Sequence, residues 1–495
     1  MLSEYGNMKH LNDLKPEGLV LKSAGELPYP FVIHINETGI SNDTAYTFSI
    51  IGKDPLTGLN KTSEYHLTSR EHQAYLDFFE KLATDFGLCV PRNRQPKPSL
   101  AAAEIPYREV LLRNLNSRML YGYGDPALLR VETGNGPLYY LVSTSNDAPD
   151  SFPLLRSKNL EDWEFVKFIF PEGQKPEWAM EGEFVSDYWA PEIHQVGNEF
   201  RLYFVARHKS NSELCIGMAR ADSPEGTFVA EKEPVLAGNI IDPHIFVKDK
   251  DTTFMYWKED NNDVWPGTLM ELLHLHPEFT VMLFDEAEEQ RTAAFLQTWW
   301  PWIKNLSPME RFLLLQVLIE AVISKYGTFC KKLQSFTTGQ PEEIENQVKK
   351  LLLFMKTPMF AQRLSADGSA LVGERTRIIE NDLEWEAHLV EGMWLTEAEK
   401  QFYLFYAGND FSTAQYGIGV AMGPSPLGPF TKMEKPLLQS TTNWWAPGHP
   451  SVVTAPDGRP YMFLHAFLPG EAGYNVFRAL LSIPLQFHQN SVSLG

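Results

Sequence analysis

Five short segments of the chain place an acidic or histidine side chain beside proline or glycine. They are Gly124-Asp125-Pro126, Trp189-Ala190-Pro191-Glu192, Ile241-Asp242-Pro243-His244, Val390-Glu391-Gly392 and Pro447-Gly448-His449-Pro450. Carboxyl groups suit general acid–base chemistry, because an ionised one can deprotonate water while a protonated one delivers a proton to a leaving oxygen. Asp125, Asp242 and Glu391 are therefore candidates for such chemistry.

Each of these segments precedes a run of aromatic and β-branched residues, as expected of a β-strand. The runs are PLYYLVSTS, FRLYFVARH, TFMYWKED, QFYLFYAGND and RPYMFLHAF. Most intervals are roughly 50 to 70 residues, which fits four-stranded propeller blades with long loops. The pattern predicts a mainly β fold, a five-bladed β-propeller whose innermost strands bring distant acids to a central channel.

One interval exceeds the others by about 90 residues, more than blade loops explain. The excess falls between Pro266 and Lys356, where apolar residues recur with the period of a helix. Helices are predicted to begin at the capping box Ser307-Pro308-Met309-Glu310 and at Gln340-Pro341-Glu342, with an earlier helix over residues 278–300. The sequence thus predicts an all-α insertion within the third blade.

The residues before the repeating pattern predict a small α/β module. FVIHIN (31–36) and YTFSIIG (46–52) are expected to be strands, and the capping box Thr68-Ser69-Arg70-Glu71 begins an amphipathic helix that ends at Gly87. PRNRQPKPSL (91–100) is a proline-rich linker. The predicted domains are the N-terminal module with its linker (1–105), the first part of the propeller (106–266), the helical insertion (267–356) and the second part of the propeller (357–495).

Composition excludes several classes of protein. With 43 basic and 63 acidic residues the net charge is −20, which disfavours nucleic acid and anionic membrane surfaces as partners. A hydrophobic content of 43% and an aromatic content of 13% exclude a mainly disordered chain. Cys89, Cys215 and Cys330 are odd in number and far apart, so we expect small buried side chains and no disulfide framework.

The first residues, MLSEYGNMKHLNDLKPEG, lack a basic region followed by an apolar stretch, so no signal peptide is predicted. The most apolar run, residues 312–323, is too short to span a bilayer and contains Gln316 and Glu320. We expect a cytoplasmic protein. Secretion by a route that needs no signal stays open.

The phrases GDPALL, YWAPEIH, IDPHIF, VEGMW, PLGPF and WWAPGHPSVV, in this order, resemble glycoside hydrolase family 43 over residues 118–263 and 357–488. The resemblance implies a five-bladed β-propeller that hydrolyses arabinose- and xylose-containing glycans with inversion. The related fructan-cleaving families use an Arg-Asp-Pro triplet and a Glu-Cys pair. This chain has Ile241-Asp242-Pro243 and Glu391-Gly392 instead, which disfavours them.

The resemblance implies a role for each of the three acids. Asp125 would be the general base, Glu391 the general acid, and Asp242 the third carboxylate that orients the acid and raises its pKa. A second negative charge disfavours ionisation of Glu391 and so keeps it a proton donor near neutral pH. In inverting enzymes the acid and base stand about 6.5–9.5 Å apart, which leaves room for water.

Other residues are weaker candidates for substrate or ion binding. By resemblance, His449 lies on the channel axis near a water or a calcium ion, and Arg478 corresponds to a late arginine that pairs with the third carboxylate. The flat ring of Trp189 either stacks on a sugar or packs within a blade. Trp394, Trp444 and Trp445 rank below Trp189 as stacking residues.

A metal centre is not predicted from the remaining histidines. Glu192 is expected to be structural. His274 and His276 would share one face of a strand, but no third ligand at suitable spacing accompanies them or His244.

These patterns predict an inverting exo-glycosidase of the α-L-arabinofuranosidase or β-xylosidase type, which acts on oligosaccharides or glycosides and requires no cofactor. Two alternatives stay open: a propeller or scaffold that binds glycans without cleaving them, and an endo-arabinanase with an open groove. The insertion follows the second strand of the third blade, which runs towards the channel mouth. We therefore expect it on the catalytic face, where it narrows the pocket or forms a homo-oligomer contact.

Overall fold

The computed structural model describes residues 18–23, 28–40, 43–67, 72–91, 105–182, 186–249, 251–262, 264–337, 339–488 and 490–495. The chain divides into two compact units, one of Met1–Gln95 with Asn262–Leu353, the other of Pro96–Asn261 with Phe354–Gly495. Three predicted features lie outside the described residues: the N-terminal segment examined for a signal peptide, the capping box at 68–71, and the linker beyond residue 91.

The first unit begins with an antiparallel sheet and a helix. The strands are β1 (Leu19–Lys22), β2 (Val32–Ile40), β3 (Asp43–Lys53) and β4 (Asn60–Leu67), paired in that order, and helix α1 (His72–Phe86) follows. Ile33, Phe48 and Ile50 are fully buried on one face of this sheet. Gly87 follows α1 with φ of +64°, the left-handed conformation that commonly ends a helix, so the predicted end is confirmed.

Helices make up the rest of this unit in the described residues. They are α2 (Val264–Leu275), α3 (Phe279–Leu283), α4 (Ala287–Ile303), α5 (Pro308–Ser324), α6 (Tyr326–Phe336) and α7 (Glu342–Phe354). The predicted capping box of Ser307 and Glu310 begins α5. The single helix predicted over 278–300 is wrong: the backbone is extended at Phe284, and the side chain of Glu289 accepts from the Glu286 N–H to begin α4.

The N-terminal module and the helical insertion share one core, although the sequence predicts two separate domains. Phe48 packs edge-on against Trp299, with ring centroids 5.0 Å apart. The Cys89 N–H donates to the Thr292 hydroxyl at 2.8 Å. Hydrophobic periodicity describes the faces of single elements, so it cannot pair faces that lie 200 residues or more apart in the chain.

The second unit is mainly β, and its described residues form five antiparallel sheets. The first contains β6 (Ala127–Thr133), β7 (Gly136–Val142), β8 (Ser151–Ser157) and β9 (Trp163–Phe170). The second contains β10 (Trp189–Val196), β11 (Glu199–Arg207), β12 (Leu214–Ala221), β13 (Val229–Ala230) and β14 (Leu236–Ala237). The third contains β15 (Ile240–Asp249), β16 (Thr252–Glu259), β17 (Met359–Leu364) and β18 (Leu371–Ile379).

The chain continues through a short 3₁₀ helix (Glu384–Glu386) into the last two sheets. The fourth contains β19 (Val390–Ala398), β20 (Gln401–Gly408), β21 (Gly417–Gly423), β22 (Thr431–Lys432) and β23 (Leu438–Gln439). The fifth contains β24 (Trp445–Thr454), β25 (Pro460–Phe467), β26 (Ala479–His488) and β27 (Ser491–Leu494), and β5 (Arg108–Leu111) pairs with β26. A strand from the start of the second unit therefore pairs with the last sheet of that unit.

The first strands of the five sheets form a closed ring. β6 contacts β10, and contacts continue through β15, β19 and β24 back to β6. Four of these strands have a β-bulge near their start, within the segments that the sequence singles out. Left-handed φ angles occur at Asp125, Ala190, Asp242, Gly392 and His449. Bulges re-aim side chains, so these segments turn particular groups out of the alternating pattern of a strand.

The insertion leaves the third sheet at the end that carries Asp242. Ile240 and Ile241 at the start of β15 pair with Glu259 and Lys258 at the end of β16. The chain departs directly after β16 and returns before β17, where the Asn261 amide donates to the Lys356 carbonyl at 3.0 Å. How the two units are arranged stays a prediction.

Among the described residues, no single helix is long and apolar enough to cross a bilayer. Helices α5 and α6 reach that length and hydropathy only together, and they are bent by 89° relative to each other.

A buried carboxylate ties three neighbouring inner strands together. Glu192 of β10 accepts from His194 at 2.6 Å and from His244 Nδ1 of β15 at 2.9 Å. His244 Nε2 in turn accepts from the Leu395 N–H of β19 at 2.9 Å. The hydrogen of His244 therefore lies on Nδ1 and leaves that atom no lone pair for a metal ion. This cluster is a structural hydrogen-bond centre, as expected for Glu192.

The Glu192→Gln variant should lower the thermal midpoint at neutral pH, by an amount equivalent to roughly 3 kcal/mol, because it breaks a buried charge-assisted network. Burial alone would raise the pKa of Glu192, but His244 and His194 lower it to about 2. A depressed folded-state pKa stabilises the protein fully above the unfolded value of about 4.5, and this stabilisation is lost as the pH falls towards 2.

Calorimetry of both proteins at pH 7 and pH 3.5 checks this. The exposed Glu164→Gln is the control and should change the midpoint little. An equal gap between wild type and Glu192→Gln at both pH values would contradict the expectation.

Candidate active site

The three candidate acids all stand at the starts of ring strands. Asp125 lies two residues before the start of β6, whereas Asp242 and Glu391 lie within the first three residues of β15 and β19. Their side chains are largely buried, with 15% of Asp125 and 13% of Glu391 exposed. Asp125 contributes to a raised pKa of Asp242, and Asp242 to a raised pKa of Glu391. The structure therefore brings the three carboxyl groups within electrostatic reach of one another.

Asp125 is held as an anion. Its Oδ1 accepts from Arg478 Nη1 at 3.0 Å, its Oδ2 accepts from the Thr144 hydroxyl, and His449 Nδ1 lies 3.3 Å from Oδ1. Its backbone N–H donates to His465 Nδ1 at 3.1 Å. Burial opposes ionisation, but the Arg478 guanidinium and these further contacts hold the pKa of Asp125 well below its usual range. The group is therefore an ionised base over the whole neutral range.

Arg478 pairs with Asp125, which corrects the expectation that it pairs with the third carboxylate, Asp242. The guanidinium lies against the backbone of Gly124, where a Cβ would stand 1.9 Å from Arg478 Cζ. The Tyr123 N–H also donates to the Arg478 carbonyl at 2.8 Å, and the Arg478 N–H donates to the Tyr121 carbonyl. Arg478 is thereby fixed to the segment that carries Asp125.

Asp242 is fixed to the strand that carries Glu391. Its Oδ2 accepts from the Gly392 N–H at 2.7 Å. Gly392 has a φ of +57°, and a Cβ there would stand 3.0 Å from His449 Cγ, so both conformation and space favour glycine. Burial and the nearby Asp125 raise the pKa of Asp242, against His449 and Lys258.

Glu391 is held by a hydrogen bond on one carboxyl oxygen and by an ion pair on the other. The Tyr416 hydroxyl donates to Oε1 at 2.7 Å, and Lys258 Nζ lies 3.4 Å from Oε2. Burial and the negative charge of Asp242 raise the pKa of Glu391 to about 7, against Lys258 and Tyr416, which lower it. Two carboxyl groups with pKa values pushed in opposite directions are the arrangement that acid–base catalysis needs.

The remaining candidates differ in their surroundings. His449 is buried beside Asp125, as described above. Trp189 is partly exposed and packs against an apolar cluster that includes Val205 and Ile241, so it contributes to blade packing. His274 and His276 lie at and just beyond the end of helix α2, so placing them on a strand is wrong. The other ranked rings, Trp394, Trp444 and Trp445, are buried.

Sequence patterns missed four groups that complete this site: Thr144, Lys258, Tyr416 and His465. A signal for Lys258 exists in retrospect, since it alternates with Phe254 and Tyr256 on one face of β16, where a lysine is unexpected. The other three contact the acids from distant parts of the chain, as Tyr416 Oη does 25 residues beyond Glu391. No local pattern marks such contacts.

The groups around His449 do not fit directly bound calcium. Ca²⁺ prefers six to eight oxygen ligands, whereas His449 offers a ring nitrogen and faces Asp125. Both oxygens of Asp125 are already engaged, one by Arg478 and the other by Thr144. These residues therefore do not supply the ligands of the calcium ion that the resemblance allows near His449.

The ring of antiparallel sheets brings together an ionised carboxylate, a carboxyl group with a pKa near neutrality and a third acid. A glycosidase that acts by acid–base catalysis needs such a pair of carboxyl groups, one ionised and one protonated. The sequence model of glycosyl hydrolases family 43 matches residues 120–300 and 345–491, more than half of the chain. The chain belongs to this family. The predicted family and enzyme class are thus confirmed.

Individual relatives are more distant. The chain is 37% identical over 81 residues to "Xylosidase/arabinosidase 43A" of Humicola insolens, an alignment that covers 16% of this chain and 23% of that protein. It is 21% identical over 299 residues to a "Xylosidase/arabinosidase" of Bacteroides ovatus, covering 60% of this chain and 70% of that protein. The chain thus matches less than a quarter of the length of the first of these relatives.

A solved structure of a thermostable family-43 glycoside hydrolase is similar in fold. It has a TM-score of 0.52 at 22% identity, with 75% of this chain and 92% of that chain covered. This likeness supports the fold alone.

The close approach of Gly124 and Arg478 can be tested by a double-mutant cycle. Gly124→Ala should destabilise the protein by about 2 kcal/mol, because the added Cβ displaces the guanidinium from Asp125. Arg478→Ala should cost roughly 3 to 5 kcal/mol, because it leaves a buried carboxylate unpaired. In the Arg478→Ala background, Gly124→Ala should cost little, since the clashing group is gone.

Denaturant unfolding of the four proteins measures the cycle. Gly134→Ala is the control, since no atom lies within 4 Å of its added Cβ. Additive costs of the two substitutions would contradict the proposed contact.

Proposed function

We propose that the protein is an inverting exo-glycosidase that releases terminal pentose residues from oligosaccharides or glycosides, of the α-L-arabinofuranosidase or β-xylosidase type. The observation that carries this proposal is that the pKa values of two acids in one site are shifted in opposite directions. The pKa of Asp125 is held well below its usual range, whereas that of Glu391 is raised to about 7. The relatives named as xylosidase/arabinosidase support a pentose as the sugar.

In the proposed mechanism, Asp125 accepts a proton from the attacking water, and Glu391 gives its proton to the leaving oxygen. Asp242 touches neither reacting atom. It holds the start of β19 through the Gly392 N–H, and its negative charge keeps Glu391 protonated. Inversion requires water between acid and base, and the cleaved bond is replaced by one new bond from the opposite face of the sugar.

We further propose that the five sheets are the blades of a five-bladed β-propeller and that the starts of their first strands line the substrate pocket. The closed ring of first strands supports this. The insertion within the third blade and the N-terminal module are proposed as additions to that body. A homo-oligomer contact through the insertion, a cytoplasmic location and the absence of nucleic-acid or membrane partners stay predictions.

Replacement of either reacting acid should abolish turnover. Asp125→Asn removes the base and Glu391→Gln removes the acid, and each should lower the rate on pentosides of alkyl alcohols or sugars at least 100-fold. Glu132→Gln and Glu397→Gln lie on the same two strands, β6 and β19, point into solvent and should retain activity.

Sugar release from alkyl pentosides and nitrophenol release from arabinofuranosides, xylosides and galactosides measure this, with proton NMR of the first anomer released. Undiminished turnover of either acid variant would reject the assignment. Tight glycan binding without hydrolysis by the wild type would favour the non-catalytic alternative. Cleavage of internal arabinan bonds would favour the endo-arabinanase.

The pH profile should be limited on its alkaline side by Glu391. The general acid must be protonated, so kcat/KM should fall as the pH rises through about 7. The base must be ionised, and because the pKa of Asp125 is held well below its usual range, activity should persist below pH 4 or so as long as the fold survives. Initial rates between about pH 3 and 9 check this. An alkaline limb near the usual glutamate value would contradict it.

A further inference from the structure

Lys258 is a buried lysine whose position the proposed mechanism has not used. It is the last but one residue of β16, and its side chain is 0% exposed. Neither the ammonium group nor its stem reaches solvent, so it is not placed to bind a substrate arriving from outside. A buried charge is costly unless it is paired, so its partners indicate what it does.

The partners of Lys258 are the carboxyl groups of Glu391 and Asp260. Its Nζ lies 3.4 Å from Glu391 Oε2 and 3.4 Å from Asp260 Oδ1. Burial would lower the pKa of Lys258, but Asp260, Glu391 and Asp242 raise it above the ordinary value. The lysine is therefore a fixed cation, neither a nucleophile nor a base.

The two oxygens of Glu391 are thus distinguished by their neighbours. Oε1 accepts from the Tyr416 hydroxyl at 2.7 Å, whereas Oε2 faces the ammonium at the longer distance of 3.4 Å. While Glu391 is protonated, Lys258 is balanced by Asp260. Once Glu391 has given up its proton, the ammonium has a second anion beside it.

Resting on the proposed function, we propose that Lys258 is a positioning residue that holds the Glu391 carboxyl group and stabilises the carboxylate formed when Glu391 protonates the leaving group. In that step the O–H bond of Glu391 breaks, the proton moves to the glycosidic oxygen, and the electron pair stays on the carboxylate. Lys258 keeps all of its protons. Asp260 sets the strength of this stabilisation by competing for the same ammonium.

Other titratable groups also influence the pKa values of Glu391 and Lys258. Those that face Glu391 or Lys258 from the elements packed around them are Asp242, Tyr416, His449, Asp260 and His388. His388 is buried beside Asp410 and Asp260, and burial lowers its pKa to about 4, so it adds no charge near neutral pH. Asp125 is paired with Arg478.

The test is the dependence of kcat/KM on the leaving group. Lys258→Met should lower kcat/KM roughly tenfold or more for pentosides of alkyl alcohols or sugars, whose oxygens need a proton. It should change the value less than threefold or so for dinitrophenyl pentosides, which leave unaided. The alkaline limb of the pH profile should move up, because the cation that favours ionised Glu391 is lost. A merely structural lysine would lower both classes of substrate alike and leave the limb in place.

Asp260→Asn provides a second variant, which should move the alkaline limb in the opposite direction. It leaves Lys258 to Glu391 alone, so the alkaline limb should move to lower pH. Lys432→Met is the matched control, because Lys432 is another mostly buried lysine, and it pairs with Glu386 and Asp382 instead of the three acids. It should change the thermal midpoint without altering the leaving-group dependence or the pH limb.

The outcomes separate this inference from the proposed function. A wild type that cleaves no pentoside, or a Glu391→Gln variant with full activity, rejects the function. With those results as proposed, an unchanged leaving-group dependence in Lys258→Met overturns the role of Lys258. Should Lys258→Met fail to fold, Asp260→Asn decides: a downward shift of the limb supports the role, and an unshifted limb overturns it.

Discussion

The site depends on one electrostatic constraint: three acids are buried within reach of one another, and they cannot all be ionised without help. The protein resolves this by giving each acid a different partner. Asp125 receives the guanidinium of Arg478, Asp242 receives a backbone N–H, and Glu391 receives a phenol and a more distant ammonium. The guanidinium thus stabilises the ionised form of the proposed base, whereas the phenol and the more distant ammonium leave the pKa of the proposed acid raised.

The fold meets this constraint at the starts of its inner strands. A regular strand sends alternate side chains to opposite faces, which would not direct a carboxyl group and the next backbone N–H into one site. A left-handed residue and a bulge at these positions break that alternation, as at Asp242 and Gly392. The network from Glu192 through His244 to Leu395 then fixes the neighbouring strands behind the site. Local strain is thereby offset by buried hydrogen bonds close to it.

The sequence predicts those residues of the site that their neighbours in the chain mark. Proline or glycine beside an acid or a histidine marks the start of each first strand, and the segments taken together single out Asp125, Asp242 and Glu391. The partners of the acids cannot be found in this way. Arg478 lies 353 residues from Asp125, and the missing Cβ of Gly124 makes room for its guanidinium there. Which cation meets which acid is decided by packing that no local pattern records.

The same reasoning explains why the sequence predicts two domains, the N-terminal module and the helical insertion, where the structure has one compact unit. The four-stranded sheet buries Phe48 and Ile50 on one face, and the aromatic face of α4, with Trp299 and Trp302, lies against Phe48. Without α4, the face of the sheet that carries Phe48 would lose these aromatic neighbours and expose apolar surface to water. Helix α4 is in turn buried on nearly all sides, so it too needs a partner. The N-terminal module and the insertion are therefore two halves of one hydrophobic core, and neither is an appendage that could be removed without exposing the other.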